Sequence, residues 1–245
     1  MINRARAECV SICVAPRFNT SQKLNNLTNT IKVKVMKTLS QQLPDFYEYY
    51  ENGNQFYLRQ LEYPDDMALL HKWMHEPHVI PQWQLNKSEL ELKVYFEKQL
   101  ADDHHRLFIV GMDGNDVGYT EIYEGKRDRL SRYYSAHELD LGWHFLFGEK
   151  SVLGKGYLRA VARLVIFYIF EHAASLKIVG EPDSTVKPYA AVVDEMCYEA
   201  QGTLTMPEKN AVLYYCFRDT FYQKFGEYLI QSQQYLAQKN QYKTQ

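Results

Sequence analysis

The chain has 245 residues, of which 46% are hydrophobic and 24% charged, and its formal net charge is −2. These proportions are typical of a globular protein with room for one substantial core. A near-neutral charge argues against a nucleic-acid partner, because such proteins carry a broadly basic surface. No stretch approaches the roughly 18 consecutive apolar residues that a membrane-spanning helix needs, so we expect no membrane partner.

The two ends of the chain differ in composition from its middle. Residues 1–50 are expected to form an N-terminal extension that is flexible in part, with Met36 as an alternative start. Residues 231–245 are rich in Gln and Lys, so we expect a frayed polar tail. The catalytic domain would then span residues 51–230. Four cysteines without a CxxC spacing predict reduced thiols and a cytoplasmic protein.

The middle of the chain alternates between strand and helix patterns. Ser88 and Glu91 have the spacing of a capping box, which begins a helix. The apolar segment 157–173 predicts a helix that is buried on nearly every face. The predicted order is strand 55–61, helices 64–74 and 88–100, strands 107–110, 117–123 and 138–147, helix 157–173, strand 176–179, helix 189–200, and strands 202–206 and 211–217.

A glycine-containing turn joins the strand at 138–147 to the long helix. Gly154-Lys155-Gly156 lets backbone amides at the helix start approach a pyrophosphate, and the helix dipole favours the anion. Lys150 adds positive charge, and Arg159 lies within the first turn of the helix. The turn therefore predicts a phosphate site that needs no metal, with an ordinary turn as the other interpretation.

Several short phrases carry a resemblance to a known family. Together with the element order, they resemble the GNAT acyltransferases of hydroxamate siderophore biosynthesis, such as the hydroxylysine acetyltransferase of aerobactin synthesis and its mycobactin-pathway relative. The resemblance covers about residues 55–225. The phrases are HKWM at 71–74 with Pro77 and Trp83, GYTEIY at 118–123, DLGWH at 140–144 and EPD at 181–183.

The resemblance implies an α/β (α+β) GNAT fold. Its sheet is mixed and mostly antiparallel, with helices on both faces, and it is splayed between the fourth and fifth strands, here 138–147 and 176–179. Acetyl-CoA, or another acyl-CoA, would lie in that gap without a metal. The residues implied to bind it are Phe145, Leu146, Phe147, Lys150, Gly154, Lys155, Gly156, Tyr157 and Arg159.

The resemblance assigns catalysis to His144 and Asp183. Alternation along the strand turns Trp143 and Phe145 to the face opposite His144, whose ring can then face the cleft. As a neutral imidazole, it would accept the proton of the attacking nitrogen. Asp183 would orient the base or the substrate. A histidine packed in an aromatic core and a carboxylate that caps the next helix are the interpretations that stay open.

Three residues are predicted to contact the acceptor: Trp83, Glu121 and Trp143. Glu121 belongs to the phrase that resembles the substrate-side strand of the family, and its carboxylate would bind the cationic end of a lysine or a diamine. A solvated glutamate on an edge strand is the other interpretation. Trp83 follows Pro81 in a loop and is a candidate lid residue.

The implied reaction is direct transfer of an acyl group to the nitrogen of an N-hydroxylated amine, which gives a hydroxamate. Hydroxylysine, hydroxyornithine and a hydroxylated diamine all stay open as acceptors. An amine monooxygenase and a siderophore synthetase are the expected pathway partners, and the protein would be a monomer or a homodimer.

Two alternatives to this reaction remain. One is an aminoglycoside-type N-acetyltransferase. The other is a GNAT scaffold that binds CoA without turnover, because Ser151 and residues 184–187 depart from the family pattern.

No metal site is predicted. His71, His75 and His78 have spacings that occur in zinc sites, but Pro77 interrupts the helix before the third histidine. Neither a partner cysteine nor an HExxH pattern accompanies them.

Overall fold

The computed structural model describes residues 37–184, 192–207 and 209–243. Its centre is a sheet of eight strands: β1 Phe46–Glu51, β2 Asn54–Gln60, β3 His105–Met112, β4 Asn115–Glu124, β5 Leu141–Phe147, β6 Lys177–Gly180, β7 Tyr198–Thr205 and β8 Asn210–Phe217. Their order across the sheet is β1-β2-β3-β4-β5-β6-β8-β7. Neighbouring strands run antiparallel, except that β5 and β6 are parallel.

Helices cover both faces of the sheet. They are α1 Met67–Met74, α2 Ile80–Trp83, α3 Glu89–Ala101, α4 Leu158–His172 and α5 Arg218–Lys243. Strand β3 explains why two layers are needed, because successive side chains of a strand point to opposite faces. Leu107 and Ile109 join the core under α1 and α3, whereas Phe108 and Val110 join the core under α4 and α5.

Helix α4 fills the centre of the second layer. Every residue from 160 to 170 is buried, which confirms the prediction of a helix that is apolar all round. The sheet covers one side of α4 and α5 covers another, where the ring of Phe221 meets those of Phe167 and Phe170 at 5.0 and 6.0 Å. The predicted capping box is also present, with Ser88 and Glu91 at the start of α3.

Strands β5 and β6 pair at only two positions, Leu141 with Ile178 and Gly142 with Val179. From Trp143 onward, β5 stays paired with β4 alone, while β6 is held by β8 on its other edge. The two strands therefore diverge. This gap is the predicted splay. The sequence analysis numbered its two strands fourth and fifth, but they are the fifth and sixth in the structure because β1 was not predicted.

Two described elements lie in segments that we expected to be flexible or frayed. Strand β1 lies within the expected N-terminal extension, where its Tyr49 is fully buried. Helix α5 continues through the expected polar tail because its inner side packs on β1: the ring of Tyr235 stacks on Tyr50 at 3.4 Å, and the Tyr50 amide donates to the hydroxyl of Ser232 at 2.8 Å.

The helix predicted at 189–200 is wrong at its C-terminal end. Residues 198–200 begin β7, in which Tyr198 pairs with Cys216 of β8 and a bulge follows between Ala200 and Gly202. Residues 185–191 lie outside the described residues. Among the described residues, no helix is both long enough and apolar enough to cross a membrane.

Candidate active site

A cleft of about 750 Å³ lies where β5 and β6 diverge. Its walls come from both layers of the protein. Trp83 and Tyr95 line it and pack with the core under α1 and α3. Leu158, Ala162 and Met196 line it as well and belong to the core under α4. The cleft therefore reaches both faces of the sheet.

His144 stands in this cleft between two buried carboxylates. The register of β4 and β5 places Glu121 directly opposite His144, with Nδ1 of the ring 3.7 Å from Oε2. Glu181 follows β6 on the other side, and its Oε1 lies 3.5 Å from Nε2. The side chains of Glu121 and Glu181 are 7% and 2% exposed, whereas that of His144 is 38% exposed to the cleft.

The two carboxylates set the charge of His144. Burial alone lowers the pKa of His144, but its contacts with Glu121 and Glu181 outweigh burial and raise the pKa to about 10. Burial also opposes ionisation of both glutamates, yet pairing with His144 lowers the pKa of each carboxyl. The two carboxylates therefore favour an imidazolium at rest, whereas we expected a neutral base.

Glu121 is held from two directions. Its Oε1 accepts hydrogen bonds from the hydroxyls of Tyr119 at 2.9 Å and Tyr95 at 3.3 Å, and its Oε2 faces His144. We expected this carboxylate to bind a cationic end of the acceptor. Because its oxygens already have partners, the geometry fits a positioning role toward His144 better.

Glu181 was not selected from the sequence, although it belongs to the EPD phrase. Its Oε2 accepts from the hydroxyl of Tyr123 at 3.0 Å, and Lys209 donates to its Oε1 at 3.2 Å and to its carbonyl oxygen at 2.6 Å. These contacts join residues that are far apart in the chain. They fix the carboxylate beside His144.

Tyr123 supports the ring of His144 directly. The two rings stack with centroids 4.9 Å apart and an angle of 30° between their planes. Tyr123 lies over Gly142, where a Cβ atom would stand 2.2 Å from the tyrosine ring. The glycine in the DLGWH phrase is therefore needed for this close approach.

The other predicted acceptor residues also line the cleft. Trp83 ends α2, and its ring meets Tyr119 edge-on at 5.6 Å. Trp143 packs with the core under α4, opposite His144, and its indole Nε1 donates to the Tyr198 hydroxyl at 2.8 Å. Asp183 lines the cleft beyond β6, where its backbone forms a bridge with Ala211 of β8.

The predicted phosphate turn has the backbone that its glycines allow. Gly154 and Gly156 have φ angles of 70° and 82°, a left-handed conformation that favours glycine. Within the described part of the chain, no atom lies within 4 Å of a Cβ placed at either position. Lys155 is exposed between them, and Tyr157 is the N-cap of α4. This open turn at the start of a helix fits the pyrophosphate of an acyl-CoA.

The basic side chains predicted near the phosphates have other partners in this structure. Lys150 pairs with Glu76 at 2.7 Å, and Arg159 pairs with Glu195. Both cations lie near the surface. Arg163, one turn further along α4, is instead buried with Glu51 and is structural.

The strand residues predicted to bind the cosubstrate lie at the edge that β6 leaves. Phe145 and Leu146 are both 5% exposed and pack on opposite faces of the sheet. The ring of Phe147 meets Phe145 edge-on at 4.6 Å, and its carbonyl oxygen accepts a hydrogen bond from His78 Nε2 at 2.8 Å.

Comparison with protein families identifies the class. A family model described as an acetyltransferase (GNAT) domain matches residues 62–206, more than half of the chain. The chain therefore belongs to the GNAT acetyltransferase family and is an acyltransferase that uses acetyl-CoA.

Individual relatives are more specific. The chain is 54% identical to an N-hydroxyputrescine acetyltransferase of Acinetobacter baumannii over 193 residues, which cover 79% of this chain and 92% of that protein. It is 28% identical to an N(6)-hydroxylysine O-acetyltransferase of Escherichia coli over 157 residues, which cover 63% of this chain and 50% of that protein.

Solved structures confirm the fold. An uncharacterised protein of Bacillus halodurans superposes with a TM-score of 0.72 at 28% identity, over 76% of this chain and 97% of that one. The aminoglycoside acetyltransferase AAC(6')-Ib in complex with coenzyme A superposes with a TM-score of 0.62 at 23% identity, over 68% of this chain and 96% of that one.

Proposed function

We propose that this protein transfers the acetyl group of acetyl-CoA to the hydroxylamino nitrogen of N-hydroxyputrescine and so forms a hydroxamate for siderophore synthesis. The observation that carries the proposal is the 54% identity with the Acinetobacter baumannii enzyme along 92% of its length. A charged histidine in a cleft that reaches both faces of the sheet supports it.

The acceptor nitrogen needs little activation. A hydroxylamine is less basic than an alkylamine and is largely unprotonated at neutral pH, so its lone pair is available for attack. Holding it beside the thioester then accounts for much of the rate. Trp83 and Tyr95 wall that side of the cleft, and backbone amides near Leu146 and Phe147 would polarise the acyl carbonyl.

His144 moves the proton in this proposal. Acetyl-CoA supplies the acyl group as a thioester, and CoA departs as a thiolate when the C–S bond breaks. His144 donates its Nε2 proton toward the sulfur on the β6 side, and the same ring accepts the proton that the acylated nitrogen loses. A C–N bond forms, a C–S bond breaks, and the imidazolium is restored. A pKa of about 10 is close enough to that of a thiol for this exchange.

Tyr198 is the second candidate donor to the thiolate. It lines the cleft, but burial raises the pKa of its hydroxyl well above the ordinary value. A proton leaves His144 more readily, so His144 is the stronger candidate. Asp183, at the rim beyond β6, is proposed to orient the acceptor.

The reaction fits between two others. An amine monooxygenase has to supply the N-hydroxylated diamine, and a siderophore synthetase has to consume the hydroxamate for iron acquisition. Acetyl-CoA and unpaired thiols are typical of the cytoplasm, where we place the protein.

The test is a panel of acceptors with acetyl-CoA, in which thiol release is measured. N-hydroxyputrescine should be turned over, whereas putrescine and kanamycin should not. His144→Gln should lower kcat by about 10²–10⁴-fold, the range for loss of a general acid–base group. Turnover of kanamycin without turnover of the hydroxylamine would favour an aminoglycoside acetyltransferase instead.

A further inference from the structure

Asp128 lies on the acceptor side of the cleft with one carboxylate oxygen unused. It caps the short 3-10 turn Arg129–Arg132 that follows β4, where its Oδ1 accepts from the Leu130 amide at 2.8 Å. Oδ2 has no hydrogen bond or ion pair with any residue that the structure describes. Asp128 lines the cleft and is half-buried, so this oxygen is available to a bound molecule.

His105 is the second polar group of the same wall. It begins β3 opposite Tyr123 of β4, and it lines the cleft. Its Nδ1 is buried and has no hydrogen-bond partner within the described residues. Burial, followed by the charge of His104, lowers the pKa of His105. The ring is therefore neutral at pH 7, with a lone pair that can accept a hydrogen bond. Asp128 is close enough to influence its ionisation.

The distance from this wall to His144 suits a short diamine. His105 on β3 and His144 on β5 share one face of the sheet, because both stand opposite alternate residues of β4, Tyr123 and Glu121. Two strand spacings across the sheet and two residues along the strand separate them, so their Cα atoms are about 12 Å apart. The two nitrogens of an extended four-carbon diamine are about 6 Å apart, and a hydrogen bond of about 3 Å at each end completes the span.

We propose that Asp128 and His105 form the subsite for the distal ammonium group of the acceptor, an inference that rests on the proposed function. The ammonium donates to Oδ2 of Asp128 and to the neutral imidazole of His105. Glu121 is not this anchor, because Tyr119, Tyr95 and His144 already engage its oxygens.

This subsite makes the acceptor a diamine and not a monoamine or an amino acid. A neutral alkyl end would leave Asp128 and His105 unpaired against apolar atoms, which is costly. The α-carboxylate of an amino-acid acceptor would be repelled by the negative charge of Asp128. Arg129 lines the same cleft, and the carboxylate of an amino-acid acceptor would bind to it. Binding of a diamine would therefore depend on Asp128, and binding of an amino acid on Arg129.

The test compares two acceptors that differ only at the distal end, N-hydroxyputrescine and N-butylhydroxylamine, with saturating acetyl-CoA. Asp128→Asn keeps the cap, because an asparagine oxygen also accepts the Leu130 amide. It should lower kcat/KM for N-hydroxyputrescine by about 10- to 100-fold, the range for a lost charge-assisted hydrogen bond. The value for N-butylhydroxylamine should change by less than about twofold. Asp65→Asn, an exposed change outside the cleft, is the matched control.

An equal loss with both acceptors would overturn the subsite, because Asp128 would then only shape the turn. Efficient use of N-hydroxyornithine that depends on Arg129 and not on Asp128 would overturn it as well. Calorimetric binding of putrescine in the presence of CoA tests the subsite without turnover and should weaken by the same factor in Asp128→Asn. If the wild-type protein binds putrescine through Asp128 but does not acetylate N-hydroxyputrescine, the proposed reaction fails while the subsite stands.

Discussion

Nε2 of His144 lies 3.5 Å from Oε1 of Glu181, a carboxylate that is almost completely buried at the divergence of β5 and β6. On the opposite edge of the ring, Glu121 holds Nδ1. A histidine between two carboxylates keeps its proton at neutral pH. In the proposed reaction, the site therefore begins with a proton that His144 can give to the departing thiolate.

The first prediction concerns the pH dependence of kcat. Because the pKa of His144 is raised to about 10, kcat should be flat from about pH 7 to about pH 9 and should fall as His144 loses its proton. The measurement is steady-state turnover across this range. A kcat that rises with pH through the same range would show that a neutral imidazole is the working form.

The same ion pairs affect stability. A pKa raised from the ordinary value of 6.5 to about 10 stabilises the fold fully below pH 6.5, and the contribution is lost as the pH rises through about 10. Thermal unfolding across this range should therefore show a falling midpoint toward alkaline pH, and the fall should be smaller in His144→Gln.

The second prediction removes one carboxylate. Glu181→Gln should lower the pKa of His144 by about 1–3 pH units, the range for a lost charge partner, and move the alkaline fall of kcat toward neutral pH. The pKa of the substrate ammonium would not change in this way. A shift in the pH at which kcat falls would therefore identify His144 as the group that titrates. Glu199→Gln, on the exposed strand β7, is the control. A profile unchanged by Glu181→Gln would show that Glu181 does not influence the catalytic proton.

The third prediction concerns the phosphate turn. Gly154→Ala places a side chain at φ 70°, where an L-residue costs about 1–2 kcal/mol, and it should raise the KM for acetyl-CoA by about tenfold without changing the KM for the acceptor. Gly114→Ala is the matched control, with φ 81° and open space in the β3–β4 turn. If the two variants had equal kinetic effects, the turn at Gly154 would have no specific role in binding acetyl-CoA.

The fourth prediction tests the buried pair of Arg163 and Glu51. Their side chains are 8% and 4% exposed, and Tyr49 also donates to Glu51 at 2.7 Å. Glu51→Gln leaves Arg163 buried without its counter-charge and should cost about 3–5 kcal/mol of unfolding free energy. Glu195→Gln, which removes the exposed partner of Arg159, should cost far less. Urea denaturation compares the two, and similar midpoints would contradict the structural role of Arg163.

Strong local patterns explain which elements were predictable. The continuous apolar run of α4 and the capping box of α3 are visible in consecutive residues. Strand β1 was missed although Asn52-Gly53 is a hairpin signal, and both residues have the positive φ that such a turn uses. Helix α5 was missed because its polar sequence hides contacts with β1, such as that of Ser232 with Tyr50, 182 residues earlier in the chain.

The sequence pointed to some residues that line the cleft, but not to Glu181 and not to the charge of His144. The resemblance to the family singled out His144 and Glu121, and the alternation of their strands agrees with a position in the cleft. The charge of His144 depends on Glu181, which is 37 residues away in sequence and is positioned by the short parallel contact of β5 with β6. Such a contact leaves no local pattern, so the effect of Glu181 on the pKa of His144 was not predictable from the sequence.

The most direct test of the account is to incubate the purified full-length protein with acetyl-CoA and N-hydroxyputrescine and to identify the product. We expect one equivalent of free thiol for each acetyl group transferred, and an N-acetyl product that forms the coloured iron(III) complex of a hydroxamate. A product acetylated at the unhydroxylated amine, or at the hydroxylamine oxygen, would contradict the proposed reaction. So would thiol release that is independent of the acceptor.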